Sequence, residues 1–134
     1  NKGSEILPKY LTAPGMMAKA TVFNVGRAAS LTDGKLCFVN EGPISAIASG
    51  PCGVCTFGMR MSQIQIDTLV NHFKHGRIII LQESEDDATQ ACFALSPLIK
   101  GGCHIVPLPP KTDAADLGFE KTLRLIHETV ETKI

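Results

Sequence analysis

RIIILQESEDDATQAC, Arg77 to Cys92, runs as unbroken apolar sequence after its first residue and then turns, within two residues, into Glu83, Glu85, Asp86 and Asp87. A short apolar run without alternation is the pattern of a strand covered on both faces, as in a parallel sheet. Beyond the acids, Ala88, Ala91, Cys92 and Leu95 recur three and four apart, which predicts a helix with one buried stripe. The stretch therefore reads as a buried strand passing into a helix, half of a βαβ unit. Two readings of the acids stand side by side. Carboxylates are favoured in the first turn of a helix by its dipole, and they are also what a hard cation requires at the end of a buried strand.

The rest of the chain repeats the alternation. Strands are expected at 20–25 (ATVFNV, a less hydrophobic edge), 35–40 (KLCFVN), 52–57 (CGVCTF), 77–82 and 103–108 (CHIVPL). Between them PISAIAS reads as a short helix with Pro43 in its first turn. Ser62 caps a second, with Ile66, Leu69, Val70 and Phe73 on one face. Pro97 ends or kinks the helix that begins at the acids. A final helix carries Leu123, Ile126 and Val130 inward, with a break at Gly118. The expected fold is α/β: a Rossmann-like domain whose central, mainly parallel sheet of about four strands is flanked by helices.

At 134 residues and 44% hydrophobic composition, the chain supports one core. Thirteen basic residues balance thirteen acidic ones, so no bulk field directs it to a polyanion. No apolar run reaches the roughly 18 residues of a membrane span, and the NKGSE start has no signal-peptide layout. Cys37, Cys52, Cys55, Cys92 and Cys103 are odd in number, three of them in apolar runs, which suits free thiols in a reducing, cytoplasmic setting. The start at Asn1 suits a piece of a longer protein.

In a parallel sheet, ligands bind at the carboxyl ends of the strands. Glu41 follows the 35–40 strand, Glu83 to Asp87 follow the 77–82 strand, and Asp113 and Asp116 follow the last one, with Lys111 as the one base inside these clusters. Carboxylates drawn together repel unless a cation neutralises them. Oxygen-only donors select Mg²⁺ or Mn²⁺ over zinc, and such ions serve phosphoryl and nucleotidyl transfer.

VNEGPISAIAS and IIILQESEDDATQAC, in that order and spacing, resemble the two motifs of the toprim domain of primases, topoisomerases and related nucleases. Glu41 takes the position of the motif glutamate, and Glu83 and Glu85 take those of the two aspartates in Asp-x-Asp. LPKYLTAPG (residues 7–15) and LPPKTDAADLG (residues 108–118) are similar to the segments that precede and end the core in bacterial and phage primases, with Asp113 in the aspartate position. The resemblance implies a lead-in over residues 1–30, a toprim domain over 31–118 and a C-terminal helix over 119–134. It implies Mg²⁺-dependent nucleotidyl transfer in RNA primer synthesis for DNA replication. Glu41 would be the catalytic residue and a metal ligand with Glu83, Glu85 and Asp113, and Asp86, Asp87 and Asp116 would support them. Lys9, Arg27, Lys35 and Lys111, with Lys19, would meet single-stranded DNA template, RNA primer and nucleoside triphosphates. A helicase, fused or separate, is the implied protein partner, and the isolated piece is expected to make little primer.

Two departures define the alternatives. Ser45 stands where primases often carry an aspartate, and Glu83-Ser84-Glu85 is one methylene longer on each arm than Asp-x-Asp. These favour a non-catalytic toprim scaffold; a toprim nuclease is the third reading. Cys52, Cys55, His72 and His75 form a zinc-finger-like string, but with histidines too close and cysteines in a core strand, so buried thiols are expected instead. Met16, Met17, Met59 and Met61 are expected as loop and core fillers.

Overall fold

In a computed structural model of the protein, residues 19–58, 60–82 and 85–133 are described, except for the side chains of Gln82, Glu85 and residues 131–133. Lys9, the 7–15 segment, Met16, Met17, Met59, Glu83 and the Glu85 side chain lie outside the described residues.

Arg77–Gln82 is the third of four strands and pairs on both sides. Strands β1 (Leu36–Asn40), β2 (Gly53–Cys55), β3 (Arg77–Gln82) and β4 (Cys103–Pro107) lie in the order β2-β1-β3-β4. All three pairings are parallel, with Leu36 opposite Arg77 and Ile78 opposite Cys103. Among the described residues the α-helices are α1 (Val25–Thr32), α2 (Pro43–Ala48), α3 (Gln63–Phe73), α4 (Glu85–Leu95), α5 (Ala114–Leu117) and α6 (Phe119–Lys133). The expected α/β fold, its parallel sheet of four strands and its flanking helices are all observed.

Alternation along each strand sends neighbouring side chains to opposite layers. Ile78 and Ile80 join Cys37, Val39 and Val54 against Ala28, Leu69, Phe73, Ala88 and Leu95. Ile79 and Leu81 join Phe38 and Val106 against Ala114, Ile126 and Val130. Helices α1, α3 and α4 thus cover one face, and α5 and α6 the other. Every residue from Ile78 to Leu81 is at most 1% exposed.

The 20–25 strand is corrected. Only Phe23 bridges the sheet, antiparallel to Cys55, with Phe23 N donating to Cys55 O at 2.9 Å. Asn24 then turns left-handed at φ 65°, and its side-chain amide donates to Gly53 O at 3.0 Å. Asn tolerates this conformation better than most residues, so a tertiary hydrogen bond converts the apparent strand into the entrance of α1. The lead-in's last residues therefore enter a core helix, in which Ala28 is fully buried.

Other boundaries follow local chemistry. Ser62 and Gln65 form a full capping box at the start of α3. Pro97 ends α4 in a 3-10 turn, Ser96–Leu98. Gly118 at φ 85° separates α5 from α6. Among the described residues no helix is long and apolar enough to cross a membrane.

The described cysteines are free thiols, with Cys37, Cys55 and Cys103 buried. Burial pushes the thiols of Cys37 and Cys103 well above the usual range, and Cys92 raises Cys103 further. Native protein should therefore react with an aromatic disulfide reagent at Cys37 and Cys103 only on the timescale of unfolding, while urea exposes both at once. Labelling followed by peptide mass analysis reads this directly. Ile80→Ala should cost about 2–5 kcal/mol in urea denaturation, as for a fully buried aliphatic side chain.

Candidate functional site

Strand order reverses between β1 and β3: the chain moves outward from β1 to β2 and then crosses to β3 on the other side. The carboxyl ends of those two strands therefore flank the crevice where ligands bind in such sheets. Glu41 follows β1, and Asp86 and Asp87 stand in the first turn of α4, after β3, on the same side of the sheet.

The Glu41 backbone is fixed from two sides. Its carbonyl accepts from Gly58 N at 2.8 Å and from the Cys55 thiol at 3.4 Å. Just before it, buried Asn40 donates its amide to Ser49 Oγ at 2.9 Å and Phe38 O at 3.2 Å, tying the end of β1 to the end of α2. Ser45, where primases often carry an aspartate, is buried in α2.

The structure brings Glu41 together with Lys111, Asp113 and Asp116 around one cavity of about 400 Å³, walled by Leu108 and the two prolines that follow it. Asp113 is not only a candidate ligand. It caps α5: its Oδ1 accepts from Asp116 N at 2.8 Å, while Asp116 Oδ2 accepts from Asp113 N at 3.0 Å. The DAAD spacing of a capping box announces this role in the sequence. One oxygen of each carboxylate is thus committed to backbone.

Asp87 lies half-buried in the first turn of α4, with the Arg60 guanidinium 4.0 Å away and largely exposed. At that distance and exposure the pair adds little stability. Asp86 is exposed in the same turn, in keeping with the solvated reading.

Lys19 enters the rim from the start of the described chain. Its ammonium donates to Arg60 O at 2.6 Å and Thr56 O at 3.4 Å. Burial holds its pKa below the ordinary lysine value; Cys55, Asp87 and Glu41 pull it back up, and Arg60 pushes it down. The charges of two candidate carboxylates thus favour the protonated amine, while its hydrogen bonds go to backbone carbonyls. Ser62 Oγ donates to Lys19 O, and Gln65 Nε2 donates to Thr21 O at 2.9 Å and Thr56 O at 2.8 Å. Fully buried Gln65 therefore locks the 19–21 segment to the loop after β2. The SQIQ capping pattern was readable; the far reach of the amide was not.

Two expected nucleic-acid contacts do not join this rim. Lys35 precedes β1 and lines a hollow at the amino ends of the strands with His75, Arg77 and Lys100. At about 3.3 Å per strand residue it stands roughly 20 Å from Glu41. Arg27 lines a separate hollow with Gly50 and Pro51, ahead of β2. In the zinc-like string, Cys55 is buried in β2, whereas His72 is exposed on α3 with Nδ1 2.8 Å from Thr68 O. Among the described residues no three His, Cys, Asp or Glu side chains gather to hold a metal. Glu83 and the Glu85 side chain lie outside them.

Three solved structures share this fold at TM-scores of 0.64–0.65. One is a DNA primase domain from Pseudomonas aeruginosa, at TM-score 0.64 and 21% identity, covering 80% of this chain and 37% of that one. Another is the Aquifex aeolicus primase, zinc-binding and RNA polymerase domains, at TM-score 0.65 and 19% identity, covering 82% and 30%. The third is the DnaG catalytic core, at TM-score 0.64 and 15% identity, covering 83% and 40%. The chain has a primase-type fold and spans less than half of each of these chains. No family profile matches it, and no curated protein sequence matches it significantly.

The two roles of Asp113 separate by substitution. Asp113→Asn, which still caps, should leave stability within a few tenths of a kcal/mol, whereas Asp113→Ala should lose about 0.5–2 kcal/mol in thermal or urea unfolding. Equal losses in both variants would show that the cap is not what Asp113 contributes.

Proposed function

We propose that the chain is the toprim core of a primase-like nucleotidyltransferase, working on nucleoside triphosphates and a short RNA primer held against a single-stranded DNA template. The observation that supports the proposal is the meeting of Glu41, after β1, with Asp113 and Asp116, after β4, around one cavity, in a fold shared with primase chains. Glu41, Asp113 and Asp116 line one cavity with oxygen donors of the kind a hard cation takes, but among the described residues no three side chains gather to hold one, so the set depends on Glu83 and Glu85. In this reading Glu83 and Glu85 complete the set with Glu41 and Asp113, and Asp86, Asp87 and Asp116 hold the surrounding charge. Bound Mg²⁺ would stabilise negative charge on the attacking and leaving oxygens of an in-line displacement.

The protein's own groups have separable tasks. Glu41, rigidly held through its backbone carbonyl, accepts a proton or holds the cation at a fixed point. Lys111, in a left-handed turn at φ 55°, lines the same cavity, where its positive charge would meet triphosphate oxygens. Lys19 keeps the crevice from carrying uncompensated negative charge before the cation arrives. Lys9 would add positive charge for template. The chain spans less than half of the neighbouring primase chains, so primer synthesis, template choice and any helicase contact belong to the whole protein.

A second reading, a non-catalytic scaffold, is favoured by one observation. Lys19 already supplies a cation near Glu41 and Asp87, and the Glu-x-Glu arms are longer than the family's. Mn²⁺ titration, followed by the loss of free-ion paramagnetic resonance, separates the two. On the enzyme reading wild type binds Mn²⁺, and Glu41→Ala and Glu83→Ala each weaken binding at least about tenfold. Undiminished binding in both variants, or none in wild type at millimolar metal, selects the scaffold.

A further inference from the structure

The amino ends of the strands carry the opposite charge to the rim. The turns before β1, β3 and β4 supply Lys35, Lys74, Arg77 and Lys100, with His75, against the single acid Asp33. In a chain whose charges balance, this is segregation rather than excess. Lys35, His75, Arg77 and Lys100 line one hollow of about 500 Å³.

The three turns are bound into one rigid edge. Arg77 N donates to Lys35 O at 2.9 Å, Lys100 N to Lys74 O at 2.7 Å and Gly101 N to Gly76 O at 2.7 Å. A Cβ on Gly76 would stand 2.4 Å from Gly34 O, and one on Gly101 2.5 Å from Gly76 O, so the backbones approach as closely as only glycine permits. The cations therefore spring from a fixed base. Lys35, Arg77 and Lys100 precede adjacent strands, which lie about 4.8 Å apart, so they form a row rather than a single pocket for one point anion.

Next to the row, sharing Leu36 and Arg77 with the hollow, runs an apolar groove of about 570 Å³ between Ile79 of the sheet and Leu123, Ile126 and Val130 of α6, with Arg124 and His127 at its margin. Cations along an edge suit the phosphates of a strand, and the apolar groove beside them, lined by aliphatic side chains and the buried Phe38, would meet its bases by apolar contact. We propose that this amino edge is a second binding surface for single-stranded nucleic acid, roughly 20 Å from the carboxylate rim. Lys35 belongs to it and not to the rim. The assignment rests on the nucleic-acid reading above but uses none of its metal-site residues.

The test is fluorescence anisotropy with a labelled thymidine oligonucleotide of about twenty nucleotides, longer than the roughly 4 to 16 that one small domain covers. Binding is measured from low to physiological salt. For single strands, log K falls against log salt with a slope near 0.7 per phosphate neutralised. Lys35→Gln/Arg77→Gln/Lys100→Gln should lower the slope by about 2. Lys35→Gln/Lys100→Gln, which spares half-buried Arg77 and guards against misfolding, should lower it by about 1.4. An unchanged slope in both, or no oligonucleotide binding by wild type, overturns the proposal. So does displacement of the oligonucleotide by inorganic phosphate at equal phosphate concentration, or by polyglutamate at lower charge concentration, which would assign the edge to small anions or to an acidic protein. Mn²⁺ binding at Glu41 and Glu83 is read separately, so either surface can fail while the other stands.

Discussion

Burial of β3 on both faces is the constraint from which the rest of the structure follows. Four consecutive residues, Ile78 to Leu81, point alternately into two different apolar layers, so this strand has no face on which a polar side chain could stand. Helices must cover both sides, and the crossovers that place them make the neighbouring strands parallel. Parallel order puts all carboxyl ends on one side of the molecule and all amino ends on the other. Polar chemistry is then confined to the two edges, and each edge collects the loops of several strands. The gathering of Glu41 with Asp113 and Asp116, and of Lys35 with Arg77 and Lys100, has this one cause.

Much of the fold was legible because buried strands and amphipathic helices leave strong periodic marks. β3, α3 and α4 stand where their apolar patterns put them, and the breaks at Pro97 and Gly118 fall at residues whose backbone chemistry forces them. The 20–25 segment misled because four of the six residues of ATVFNV are apolar and three are β-branched, a strand-like composition. What redirects it is the hydrogen bond from the Asn24 amide to Gly53 O, between residues far apart in sequence. No local pattern encodes such a bond. β2 was overestimated for a related reason: Thr56 N still donates to Asn40 O at 3.3 Å, but the Thr56 carbonyl accepts from Gln65 and Phe57 turns left-handed at φ 55°, which ends the strand.

At the candidate site the sequence was most informative about carboxylates and least about cations. An acid just after a strand is fixed by topology, so Glu41 and Asp113 reach the same cavity as expected. Lysines lie on long arms and on segments whose position depends on tertiary contacts. Lys19 reaches the crevice through two carbonyls of the loop after β2. Lys35, only six residues before Glu41, lies at the other edge because a whole strand separates them. That placement was available from strand direction alone, had the basic residues been sorted by strand end as the acids were.

The same sorting shows how a chain with no net charge would present a local field to a polyanion. Opposed charges spread evenly over a surface would cancel within a Debye length, about 8–10 Å at physiological salt. Here the acid and base edges lie roughly 20 Å apart across the strands, about two screening lengths, so each edge acts as its own local field. On the proposed reading, the acids would concentrate a small divalent cation without drawing on the basic row, and the row would meet phosphates without being neutralised by the acids. Lys19 departs from this sorting: its ammonium is tied to the carbonyls of Thr56 and Arg60 after β2 and is partly desolvated, and Asp87 and Glu41 favour its charged form.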